Sequence, residues 1–137
     1  MEKWLIAAMF TQVLLTFSIM VIMGRRRFTA ARNKVIKMQD FLTMELDKAG
    51  SEVRVADRNF INQFEMPILF FIACLTALQV NAAGFVFVIL AWIYVGLRLL
   101  HSVIHLTTNT LKLRYYSFVI SSFIMLIMWL MILIRIF

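Results

Sequence analysis

The sequence predicts an all-α integral membrane protein, a bundle of four transmembrane helices forming one domain over residues 1–137. Three observations predict it. Of the 137 residues, 63% are hydrophobic and 15% charged, against roughly half and a quarter in an ordinary soluble domain. The mean hydropathy is +0.89. Four apolar runs of about twenty residues follow one another, each long enough to cross the ~30 Å hydrocarbon core as a helix. No linker rich in Pro, Gly or Ser divides the chain. Helices are expected at about 4–24, 60–80, 85–106 and 115–136, with a cytoplasmic loop at 25–58.

The first run begins at Trp4, a plausible interfacial anchor, and carries no charge. A cleaved signal peptide is the competing reading. The run is too long for a typical h-region, a basic cluster follows it, and no small-x-small cleavage site is present. Gln12 and Thr16 form a mild polar stripe at i, i+4 that would face the bundle. Gly24 and Arg25–Arg27 end the run. Val35, Met38, Phe41, Leu42 and Met44–Leu46 then recur near helical spacing, as in an amphipathic helix on the membrane surface. A break is expected at Gly50–Ser51.

The second run contains Pro67 one turn in, tolerable in a membrane helix as a kink. Asn81–Gly84 is a short uncharged connection, so the second and third helices should form an antiparallel hairpin. The fourth run is closed by Arg135. Nine of the fourteen Lys and Arg lie between Arg25 and Arg58. The net charge of +7 is therefore a topological signal and not one for nucleic acid. The positive-inside rule puts the first and third connections in the cytoplasm and both termini outside. The single cysteine, Cys74, excludes an intrachain disulfide and reads as a small packed hydrophobe.

Polar residues inside the apolar runs mark candidate chemistry. Arg58, Asn62 and Glu65 are spaced i, i+4, i+7 and would share one helical face at the head of the second run. A carboxylate at that depth is costly unless paired or facing a polar cavity. On the third run, Tyr94, Arg98, His101, His105, Asn109 and Lys112 would form one stripe of a continuous helix. Glu65 and Arg98 each lie seven residues, about 10 Å, from a helix end on the same side. They are expected to pair, directly or within one network. His101 and His105 with Glu65 would also be a conceivable metal site, but they lack the His-Glu-x-x-His pattern, and no metal is expected.

The cytoplasmic mouth would collect Arg25, Arg26, Arg58, Lys112 and Arg114 around Asn62, Glu65 and the two histidines. Several cations beside one carboxylate suit a small ligand with several carboxylates and one amino group. An arginine there could also stabilise a thiolate.

Arg58-x3-Asn62-x2-Glu65 followed by Pro67 resembles the signature of the MAPEG family, membrane-associated proteins of eicosanoid and glutathione metabolism. The resemblance covers nearly the whole chain and extends to Arg98-x2-His101-x3-His105. It implies a homotrimer of four-helix subunits in the lipid bilayer. It implies glutathione bound near the cytoplasmic face between subunits, as co-substrate of a transferase or peroxidase acting on apolar electrophiles or lipid hydroperoxides. By position, Arg25, Arg58, Asn62, Glu65, Arg98, His101 and His105 would bind glutathione. Arg114, or Lys112 in its place, would be the catalytic, thiolate-stabilising cation. Pro67 lies closer to Glu65 than in the eicosanoid enzymes, and histidines replace tyrosines on the third helix. These departures are similar to the bacterial branch and imply a bacterial inner membrane. Two other functions fit four helices with one membrane carboxylate: a small proton-coupled transporter, and a non-catalytic lipid-binding scaffold of the same fold.

Overall fold

In the computed structural model, which describes residues 1–37, 39–40 and 48–137, the described residues form five helices. These are α1 (Glu2–Arg32), α2 (Ser51–Ile61), α3 (Met66–Gln79), α4 (Phe85–Leu106) and α5 (Leu111–Ile136). With α2 and α3 counted as one broken segment, four are long and apolar enough to cross a membrane. The chain is an integral membrane protein. Met38, Phe41, Leu42 and Met44–Leu46 of the expected surface helix lie outside the described residues.

α1 runs unbroken past Gly24 for 31 residues, about 46 Å at 1.5 Å per residue, well beyond the hydrocarbon core. Arg25–Arg32 are thus helical and not loop, as are Ser51–Arg58. The three consecutive arginines stand about 100° apart around α1 and meet different partners. Arg25 is exposed. Arg26 donates through Nη1 to the Glu52 carbonyl at 3.0 Å and through Nη2 to the Leu106 carbonyl at 3.0 Å. Arg27 Nε donates to Asp57 Oδ1 at 2.7 Å. These contacts lock α1 to α2 and to the end of α4. Asp57 is buried and its Oδ2 has no partner, so the carboxylate depends on Arg27. Replacing Arg27 by Met is expected to destabilise the fold by about 2–3 kcal/mol, since breaking a buried pair strands a charge. Asp57→Asn should cost less, a difference that unfolding in detergent would register.

The second span is not one helix. α2 ends in tight i→i−3 turns, Gln63 N–H to the Phe60 carbonyl at 3.0 Å and Phe64 N–H to the Ile61 carbonyl at 2.9 Å. α3 starts at Met66 with Pro67 in its first turn. The physical reason is Pro67: it has no N–H for the Gln63 carbonyl, and its ring would collide with that carbonyl in a continuous helix. Arg58, Asn62 and Glu65 therefore do not share one helical face. Asn62 is the residue that ends α2, and Glu65 is the one before α3, where its side chain makes no capping hydrogen bond.

The α3–α4 connection is the predicted hairpin. Asn81 adopts φ 53°, and Ala82 N–H reaches back to the Ala77 carbonyl at 2.8 Å, a helix end that favours Asn or Gly. α4 packs against α5, α1 and α2, and α3 against α5 and α1. The core joins Leu5 and Ala8, Phe70, Ala73, Cys74 and Ala77, Phe87, Val88, Ala91 and Tyr94, and Met125, Met128 and Ile132. The alanines let backbones approach closely where apolar burial gives little drive between membrane helices. Phe70 stacks on Tyr94 with centroids 4.6 Å apart. Outward faces are lined by Ile6, Phe10, Leu14, Phe17, Ile72, Leu75, Ile120 and Phe123, as lipid or a neighbouring subunit requires.

Candidate functional site

α4 carries Tyr94, Arg98, His101 and His105 on one face, and all four are buried. The stripe looks into the bundle and ends at His105. α4 stops at Leu106, Asn109 turns with φ 48° and Lys112 belongs to α5. The expected continuous stripe through Asn109 and Lys112 is therefore interrupted, because the run Thr107-Thr108-Asn109 favours a turn over a helix.

Arg98 is fully buried. Its Nη2 donates to the Asn62 carbonyl at 2.7 Å, and its guanidinium carbon stands 5.9 Å from the centre of the Phe118 ring. Among the described residues it forms no ion pair with Glu65, which is exposed. The direct Glu65–Arg98 pair is corrected for two reasons. The end of α2 leaves carbonyls without helical donors, and Arg98 takes that of Asn62. Glu65 stands instead at the start of α3, where the helix dipole favours negative charge. Arg98 does meet the Arg58–Pro67 stretch, three residues earlier than expected. His101 Nδ1 lies 3.0 Å from the Arg114 carbonyl and 3.3 Å from Ser117 Oγ, linking α4 to α5. The His101 and His105 rings are 5.8 Å apart.

One cleft gathers three of the expected residues. Its volume is about 420 Å³, and it is lined by Ser51, Arg54, Val55, Arg58, His105, Asn109 and Arg114. Arg58 comes from the last turn of α2, His105 from the end of α4 and Arg114 from the first turn of α5. Arg114 Nη1 donates to Asn109 Oδ1 at 2.6 Å, which holds the guanidinium at the mouth. A smaller cavity of about 180 Å³ adjoins it and is lined by Arg26, Glu52 and His105 among others. Arg25 and Glu65 line neither cavity, and both are exposed on the single chain. Asn62, Arg98 and His101 line neither cavity, but the Arg98–Asn62 and His101–Arg114 contacts tie together the helices that wall the cleft.

Sequence reasoning missed Arg54, one turn before Arg58 on the same face of α2. It also missed the network beneath the site. Gln12 Nε2 donates to Gln63 Oε1 at 3.1 Å, and Gln63 Nε2 donates to Ser102 Oγ at 3.1 Å and to Asn59 Oδ1 at 3.3 Å. Asn59 Nδ2 donates to the Ser102 carbonyl at 3.2 Å. The available signal was the i, i+4 pair Asn59 and Gln63, one position beyond Arg58 and Asn62 and so on the inward face.

The fold and cleft define a class: a four-span membrane bundle with a cationic cleft at its basic end, walled by the broken second span and the turn between the last two helices. The sequence model of the MAPEG family matches residues 5–134, and the chain belongs to that family. No curated protein and no solved structure gave a match.

Proposed function

We propose that this protein is a membrane glutathione transferase or peroxidase, with glutathione in the Arg58–His105–Arg114 cleft. The observation that carries the reading is that cleft, in a chain of the MAPEG family. The arginines suit the two carboxylates of glutathione, since guanidinium binds carboxylate in a bidentate way. Arg114, at the positive end of α5, suits the thiolate. The thiol proton leaves to water at the mouth. The thiolate sulfur then bonds to the electrophilic atom of an apolar substrate, whose leaving group departs with the electron pair. With a lipid hydroperoxide the sulfur takes the outer oxygen with its hydrogen as the O–O bond breaks, and the alkoxide takes a proton from water and leaves as the alcohol. A second glutathione converts the sulfenic acid to disulfide and water.

In this reading the protein is a homotrimer in a bacterial inner membrane, with the basic end cytoplasmic and both termini on the other side. A neighbouring subunit would bring Arg25 and Glu65, exposed on the single chain, to the edge of the cleft. Glu65 would then receive the ammonium of glutathione. Calorimetric titration of the purified protein should give a micromolar-to-millimolar Kd. Arg58→Gln should weaken it about tenfold, the ~1.4 kcal/mol of one charge-assisted contact. Absence of both heat and thiolate absorbance on adding glutathione would overturn the reading.

A further inference from the structure

α1 does not end where the bilayer does. The 21 residue steps from Trp4 to Arg25 rise about 31 Å at 1.5 Å per residue, close to the ~30 Å hydrocarbon core. With Trp4 anchored at one interface, Arg25 lies at the other. Phe28 then stands about 4–5 Å above the core, in the headgroup layer, and Arg32 about 10 Å above it.

The end of α1 keeps the next residues at that level. Lys34 N–H donates to the Ala31 carbonyl at 3.0 Å and Val35 N–H to the Ala30 carbonyl at 3.0 Å, with Lys34 at φ 56°. This left-handed closing turn sends the chain back along the helix, and Ile36 is buried beside Ala30, Ala49 and Val53. Lys34, Val35 and Lys37 therefore stay beside the last turn of α1.

The side chains presented there do not serve the fold. Arg26 and Arg27 are engaged by backbone carbonyls and by Asp57. Arg32, Lys34 and Lys37 are exposed, and among the described residues none of the three forms a salt bridge or a side-chain hydrogen bond. Asp40, the nearest acidic residue in sequence, accepts through Oδ2 from the Lys37 backbone N–H at 2.9 Å. Phe28, one turn before Arg32 on the same face, is 69% exposed, and Val35 is 50% exposed. The positive-inside rule accounts for cations at this end, but not for an exposed aromatic and a valine among them. Cations around exposed apolar side chains suit an anionic surface with an apolar layer beneath it.

We propose that Phe28, Arg32, Lys34, Val35 and Lys37 form a docking face for anionic phospholipid headgroups in the leaflet at the basic end. A lipid such as phosphatidylglycerol carries a phosphodiester with no cation of its own. The long Arg and Lys side chains reach down to that phosphate, and Phe28 enters the layer between headgroups. The face lies outside the Arg58–His105–Arg114 cleft, so it goes beyond the glutathione reading and does not depend on it.

Native mass spectrometry of the full chain released from mixed phosphatidylcholine and phosphatidylglycerol nanodiscs tests it. Wild type should retain phosphatidylglycerol over phosphatidylcholine, and salt should erase the preference. Each cation beside an anionic surface contributes about fivefold. Arg32→Gln should therefore lower retention about fivefold, and Arg32→Gln/Lys34→Gln/Lys37→Gln about 100-fold. Phe28→Ser, with every charge kept, should lower it as well. Lys3→Gln, an exposed cation at the opposite end, should leave retention unchanged. The substituted residues are exposed, so the unfolding temperature in phosphatidylcholine alone should not move. Equal retention by wild type and the triple variant, or an equal loss in Lys3→Gln and Arg32→Gln, would overturn the proposal. So would capture of poly-glutamate through the same residues without a preference for phosphatidylglycerol, which would assign the face to an acidic protein.

Discussion

Replacing Arg114 by Ala is expected to lower turnover with glutathione by about 10²–10³-fold, the usual loss when one preorganised charge facing the reacting atom is removed. Arg114 is half-buried in the first turn of α5 and lines the cleft, and Asn109 Oδ1 grips its Nη1 at 2.6 Å. A guanidinium fixed before the substrate arrives needs little reorganisation when the thiolate forms. A free thiol has a pKa of about 8.5. A cation beside it favours the charged form and lowers that value, so the thiolate is present above the lowered pKa and lost as pH falls through it. Without Arg114 the midpoint of the rate against pH should move upward. Asn109→Ala keeps the charge but frees it, and about a tenfold loss is expected. Wild-type turnover with an unmoved midpoint in Arg114→Ala would remove Arg114 from the chemistry.

The four spans were legible because hydrophobic runs of membrane length leave the backbone few alternatives to helix. The interruptions were harder to read. Pro67 announced a disturbance, but whether a proline bends a helix or parts it depends on what satisfies the freed carbonyls. Here Arg98 reaches Asn62 from another helix, a contact no local pattern contains. Asn109 read as one more member of a stripe because its spacing fitted. Its left-handed φ of 48° belongs to a turn, where asparagine is at home.

The candidate site divides along the same line. Arg58, His105 and Arg114 stood out as charged or polar residues against an apolar background, and the structure gathers them at one cleft. The run Arg25–Arg27 could not be resolved from sequence, since three adjacent residues point in three directions. Only the rotation of α1 against α2 and α4 selects Arg26 for the carbonyls and Arg27 for Asp57. Asn59 and Gln63 were hidden by their neighbours. The face holding Arg58 and Asn62 drew the functional reading, while the adjacent face supplies the polar joint that fixes the second span.

That joint carries the largest expected effect on stability. Gln63→Leu should destabilise the protein by about 2–4 kcal/mol, although leucine is apolar and similar in size. Gln63 is buried and is the hub of three helices: it accepts from Gln12 of α1 and donates to Asn59 of α2 and Ser102 of α4. Leucine would leave the Gln12 amide without this acceptor, in a residue whose Oε1 already has no partner, and would leave Ser102 Oγ without its amide donor. Each buried group left unpaired costs about 1–3 kcal/mol, moderated in membranes because the unfolded reference finds partners too. The effect should not be additive. Once Gln12 is also leucine, the orphaned amide is gone, so Gln12→Leu/Gln63→Leu should recover about 1 kcal/mol relative to the sum of the singles. Denaturation of the four proteins in one detergent gives the cycle. Glutathione affinity should fall in Gln63→Leu as well, because Asn59 lies beside Arg58 and the joint sets where α2 stands against α4. Additive single mutants would mean that these four side chains are merely close, and that the break before Pro67 is held by Arg98 alone.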